Sequence, residues 1–171
     1  PLAAPEINAE LAELRQDPRF TRYLGVGGSA IIRHTKKDGV LVVPLSVNHR
    51  FDENDYPMLH EQINAGEILV PPRGFYQVNP YVSPKLVEYV MGLVTELKPD
   101  RLLDLYCGVG VFGLSAAHLG VPAIIGYDSG RDVIAVAQQN AATLGLKDTK
   151  FICGLSAQIA DSALRNAKKR G

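Results

Sequence analysis

From Ser83 onward the apolar residues switch repeatedly between the spacing of a helix and the run of a buried strand, and this alternation constrains the fold more than any other feature. Ser83 reads as a helix N-cap with Pro84 at the first helical position, and Leu86, Val90, Leu93, Val94 and Leu97 read as one apolar face. Arg101 to Tyr106 then reads as a strand, Val111 to Leu119 as a helix and Ala123 to Tyr127 as a strand. Asp132 to Leu144 reads as a helix, Lys150 to Cys153 as a strand and Ser156 to Lys168 as a closing helix. Parallel neighbours need a crossover, so strict alternation predicts an α/β architecture with a parallel sheet and right-handed connections.

The stretch before it has a different character. Ile7, Leu11 and Leu14 predict a short helix that stops at Asp17-Pro18, because proline disfavours helical geometry in the residue before it. Ala30 to Thr35 and Val40 to Val47 predict a hairpin joined across Lys36-Lys37-Asp38-Gly39, with Asp-Gly as the turn signal. Residues 48–66 read as polar and irregular, and Glu67 to Val70 and Phe75 to Val78 as short extended pieces around Pro71-Pro72. The expected organisation is a small α+β segment over 1–66 and an α/β domain over 67–171.

A glycine-rich turn, Cys107-Gly108-Val109-Gly110, follows the first strand of the α/β part directly and opens a helix. Glycine permits the tight turn and a close approach to the backbone, and the helix start supplies N–H donors for an anionic or polar ligand. Gly108, Gly110 and Gly113 satisfy G-x-G-x-x-G, a spacing that ordinary strand-to-helix turns also produce. Asp128 ends the next strand, where nucleotide-binding folds place an acid for ribose hydroxyls, although Asp128-Ser129-Gly130 is also a plain turn sequence. Loop and acid together point to a nucleoside cofactor, and both nicotinamide dinucleotides and S-adenosylmethionine use this layout. Asp104 sits two residues before the end of the first strand, placed either to face the cofactor's charged end or to cap backbone N–H groups of the loop.

Three segments, Gly74-Phe75-Tyr76-Gln77-Val78-Asn79-Pro80, Asp104-Leu105-Tyr106-Cys107-Gly108-Val109-Gly110 and Asn140-Ala141, resemble in order and spacing the RNA 5-methyluridine methyltransferase family. The resemblance is good from about Glu61 to Gly154 and weaker over the preceding hairpin. It implies a partial Rossmann-like methyltransferase fold, its three-strand parallel half, that binds S-adenosylmethionine. It further implies that Gln77 bonds the cofactor's amino-acid moiety, Tyr106 lines its pocket and Asp128 takes the ribose, beside Asp104, Gly108 and Gly110. The family usually has glutamate at the ribose position and a polar residue where Val111 stands.

The reaction implied is methylation of uridine at ring carbon 5 in tRNA or rRNA, with a cysteine thiolate adding to the ring and a carboxylate base removing a proton. The Asp-Pro-Pro and Ser-Cys motifs that carry those steps are not found up to Gly171, and the chain starts at Pro1, so the expectation is an incomplete, inactive chain with no catalytic residue of its own. Cys153 reads as a buried strand residue rather than a nucleophile, and Cys107 as part of the loop. His34, His49, His60 and His118 show no ligand spacing or paired carboxylate, and no metal site is expected.

With 18 basic and 18 acidic residues, the overall charge argues for no polyanionic partner, so RNA contact needs a local basic surface. Arg15, Arg19, Arg22, Arg33, Lys36 and Lys37, with Tyr23 among them, outnumber the acids of their stretch and read equally as phosphate contacts or as solvated surface; the family resemblance, which implies RNA contact in this region, makes the first worth testing. The two widely separated cysteines and the lack of a long apolar run fit a cytoplasmic protein without membrane contact. The first strand would present an open, apolar edge, to be covered by a second copy or by the rest of a parent protein. Two other readings remain: a nicotinamide-dependent oxidoreductase, which leaves the Phe75 to Pro80 segment unexplained, and a non-catalytic RNA-binding or scaffold protein.

Overall fold

A computed structural model describes residues 3–45, 56–76 and 82–154. The expected strand end at Ser46 and Val47, His49, Gln77 and the closing helix from Ser156 lie outside the described residues. The chain divides into two compact units, Pro1–Glu61 with Pro71–Arg73, and Gln62–Val70 with Gly74–Gly171.

In the first unit, helix α1 (Pro5–Leu14) starts at a proline and lies against the hairpin of β1 (Ser29–Thr35) and β2 (Gly39–Leu45). Asp17 and Pro18 end one helix and also start another, α2 (Pro18–Gly25), where the sequence alone reads as a break. The Asp17 carboxylate accepts from Arg19 N at 2.8 Å, an N-cap that the proline at the first position complements. The antiparallel register closes at Thr35↔Gly39, as the Asp-Gly signal predicts. Thr35 and Asp38 bond each other there through side chain and backbone, both at 2.9 Å.

Residues 48–66 are not irregular throughout: β3 (Leu59–Ile63) pairs with β4 (Gly66–Val70). Only the ends of β3, Leu59 and Ile63, are buried, and the polar His60-Glu61-Gln62 between them hides the strand from a periodicity search. Phe75 and Tyr76, expected to be extended, belong to no strand.

In the second unit, α3 (Ser83–Leu97) is capped by Val82 rather than Ser83, with no side-chain capping bond. Its buried stripe is Ser83, Val87, Met91 and Val94, whereas Leu86, Leu93 and Leu97 of the expected face are exposed. The helix is apolar on two stripes, so spacing alone does not choose between them; packing against Ala116, Val121 and Ile124 does. Beyond it come β5 (Leu102–Leu105), α4 (Val111–His118), β6 (Ile124–Asp128), α5 (Arg131–Thr143) and β7 (Thr149–Cys153). The strands are parallel in the order β5-β6-β7, with β6 in the middle. Strand β5 is an edge among the described residues, with Leu103 and Leu105 exposed on one of its faces. On the other face, α4 packs on β5 and β6, α5 packs on β6 and β7, and Phe151 and Ile124 are buried. Among the described residues no helix is long and apolar enough to cross a membrane.

Candidate functional site

The carboxyl ends of β5 and β6 bring the glycine turn and Asp128 together. Gly108 and Gly110 take left-handed backbone angles, φ 53° and 91°, that a side chain would strain. A Cβ at Gly110 would also stand 2.9 Å from Phe151 Cζ, so both conformation and space require glycine there. The turn closes through Gly110 N donating to Cys107 O at 2.8 Å, and Cys107 N donates to Tyr127 O at 3.0 Å.

Asp128 joins the loop to the strand it ends. Its Oδ2 accepts from Gly108 N and its Oδ1 from Gly130 N, each at 3.0 Å. Each carboxylate oxygen has a second lone pair, so two backbone donors leave capacity for further hydroxyl donors. Asp128 thus takes the turn role through Gly130 N–H and at the same time fastens the glycine loop through Gly108 N–H.

Asp104 Oδ2 accepts from Gly113 N at 3.1 Å, which caps one of the unpaired donors at the start of α4. Burial pushes its carboxyl up to about 6; the Gly113 N–H opposes that rise and the nearby Asp128 charge adds to it. Tyr106 has φ 64°, unusual for a residue with a side chain, and its ring is 77% exposed at the loop. It is therefore not the core aromatic that its sequence position alone would allow.

The cysteines differ from expectation in one case. Cys107 is buried, and burial together with the Asp104 and Asp128 charges pushes its thiol up to about 12, which leaves no thiolate at neutral pH. Cys153 is exposed, contrary to the buried position read from its strand. It is the last residue of β7, and its Sγ donates to Ser129 O at 3.4 Å. Its neighbour Ile152 is exposed as well, so the apolar flank that suggested burial is itself partly at the surface.

Two residues that sequence reasoning passed over organise the site from behind. Phe151 fills the space left by Gly110, Gly113 and Gly126, whose added Cβ atoms would all fall within 3.4 Å of its ring. Asn140, noted only as part of a motif, bonds the backbone of β4 and of the glycine loop.

In the first unit, Arg19 and Arg22 lie on α2, Arg33 on β1, and Lys36 and Lys37 in the β1–β2 turn. Arg22 and Lys36 are exposed, while Arg19 is tied to Asp17 at 3.3 Å. His60 pairs with Asp38, Nδ1 to Oδ1 at 2.8 Å, which corrects the reading that no histidine has a carboxylate partner. Burial raises the Glu61 carboxyl, and the Arg33 and Lys36 charges oppose the rise.

The model of a methyltransferase domain matches residues 97–168. The 23S rRNA (uracil(747)-C(5))-methyltransferase RlmC of Shewanella pealeana is 39% identical over 93 residues, which cover 54% of this chain and 24% of that protein. The enzyme of the same name from Pectobacterium atrosepticum is 34% identical over 125 residues, 69% of this chain and 33% of that protein. The chain thus spans a third or less of these curated relatives. The solved tRNA (uracil-54, C5)-methyltransferase of Pyrococcus abyssi, in complex with S-adenosyl-L-homocysteine, superposes with a TM-score of 0.57 at 24% identity. That superposition covers 74% of this chain and 38% of the other, and likeness at this identity speaks for the fold. In sequence this chain is similar to RNA uracil-C5 methyltransferases, its residues 97–168 match a methyltransferase domain, and its described fold is that of the Rossmann-like methyltransferases.

Proposed function

We propose that this chain supplies the cofactor-binding part of an S-adenosylmethionine-dependent RNA uracil-C5 methyltransferase of the cytoplasm. The observation that carries the reading is the carboxylate of Asp128, which holds Gly108 N–H and Gly130 N–H and stands at the mouth of a left-handed glycine turn. When bound, S-adenosylmethionine supplies a methyl group activated on a sulfonium. Asp128 would accept from the ribose hydroxyls with its remaining lone pairs. The first N–H groups of α4 and the backbone of Gly108 and Gly110 would face the polar end of the ligand. Tyr106, held exposed in a strained conformation, would lay its ring beside the sulfonium. The Asp104 carboxylate would add negative charge next to the loop, and Gln77 would bond the amino-acid moiety as the family resemblance implies.

RNA is the substrate class this reading requires, with the exposed Arg19, Arg22, Lys36 and Lys37 and the half-buried Arg33 as candidate phosphate contacts. Calorimetry with S-adenosylhomocysteine and with NADH tests the cofactor assignment. The expected result is binding of the first alone, weakened by about 1–3 kcal/mol in Asp128→Ala, where ligand hydroxyls lose their acceptor. Tighter binding of NADH would instead establish the oxidoreductase reading. RNA affinity indifferent to S-adenosylhomocysteine, with no binding of either cofactor, would establish the scaffold reading.

A further inference from the structure

Asn140 takes no part in the contacts proposed for the cofactor, yet it is 2% exposed, with both amide hydrogens and the amide oxygen bonded. Its Oδ1 accepts from Leu69 N at 2.8 Å and its Nδ2 donates to Leu69 O at 3.0 Å, the pair of bonds a neighbouring strand would make with β4. The same Nδ2 donates its other hydrogen to Val109 O at 3.3 Å, inside the glycine turn. Val109 O and Gly110 N belong to one peptide plane, and Gly110 N–H is the group that closes the turn on Cys107 O. Two side chains therefore pin the loop: Asp128 through Gly108 N–H, and Asn140 through the Val109 carbonyl. Beyond β4 the chain returns to the same place, since the carbonyl of Phe75 is the nearest atom a Cβ on Gly108 would meet, at 3.9 Å.

We propose that Asn140 is a positioning residue that orients the Val109–Gly110 peptide and couples the glycine loop to β4, so that the two open and close together. Its consequence for ligand affinity rests on the cofactor reading above; the mechanical coupling does not. Both nitrogen-bound hydrogens and one oxygen are needed at once, which neither aspartate nor a hydroxyl side chain provides.

Native-state amide hydrogen exchange on the 171-residue chain tests it, with and without S-adenosylhomocysteine. The Leu69 and Gly110 amides of the free wild-type chain should exchange as one group and slow by one common factor when ligand saturates. In Asn140→Ala both should exchange roughly tenfold faster and independently, with β6 amides unchanged, and S-adenosylhomocysteine should bind roughly tenfold more weakly. Gln138→Ala is the control on the same helix, since among the described residues it removes the Gln138 Nε2 bond to Phe151 O at 2.8 Å. That variant should leave loop exchange and ligand affinity within about twofold of wild type. Independent exchange of Leu69 and Gly110 in the wild-type chain would overturn the coupling, whether or not Asn140→Ala folds. So would unchanged Gly110 exchange in a folded Asn140→Ala. Failure of the wild-type chain to bind S-adenosylhomocysteine would sink the cofactor reading, while joint exchange of Leu69 and Gly110 would still uphold the coupling.

Discussion

Asp104 carries a charge that the fold disfavours. Its carboxyl stands near 6 because burial disfavours the charged form, against 3.8 for an unperturbed aspartate. The folded state thus binds the proton more tightly than the unfolded state. The stability that results is fully present below pH 3.8 and is lost as pH rises through about 6. An asparagine side chain at this position would keep an acceptor for Gly113 N–H without the charge. Asp104→Asn should therefore gain about 3 kcal/mol over wild type at pH 7, with the difference vanishing below pH 3.8. Thermal melts of both proteins across that range check this, and the difference between them cancels the other carboxylates. If the charge serves the cofactor's ammonium end, the same variant should bind S-adenosylhomocysteine more weakly while being more stable. Tyr106 is likewise held at φ 64° with its ring exposed, a backbone conformation that glycine would take without strain.

At the scale of elements, α3 to α5 and β5 to β7 are legible in the sequence to within a residue or two, because their apolar runs are bounded by turn residues. The failures share a cause. Strand β3 has its apolar residues only at its ends, and α3 offers two apolar stripes, so local spacing carries no decision. Helix α2 escapes a sequence reading because Asp17-Pro18 is a stop signal and a start signal at once. Packing within the sheet is equally illegible. Gly126 lies in the middle strand, and a Cβ there would stand 2.5 Å from Phe151 Cδ1 and 3.0 Å from Cys107 Sγ. Gly126→Ala should destabilise the chain by about 1–3 kcal/mol, through overpacking rather than backbone conformation. Adding Phe151→Leu should recover part of that loss in chemical denaturation. Purely additive losses would mean the ring is not what the methyl group strikes.

For the whole molecule, the decisive chemical question is whether any thiol can attack a pyrimidine. Cys107 is excluded by its burial and its raised pKa, and Cys153, though exposed, ends a strand with its thiol bonded to the Ser129 carbonyl. We expect this chain to transfer no methyl group to tRNA or rRNA when incubated with labelled cofactor. Incorporation that disappears in Cys153→Ala would overturn this and make that thiol the nucleophile. What the sequence determined by itself is the alternation of elements, the glycine turn with its following acid and the family resemblance, because each is written in neighbouring residues. Which stripe of α3 is buried, the exposure of Cys153, the His60–Asp38 pair and the reach of Asn140 to Leu69 and Val109 were decided only in the folded chain. Those features depend on which groups from distant segments meet. An amide bonded to residues 71 and 31 positions away leaves no local signature, since its partners are backbone groups that every residue carries.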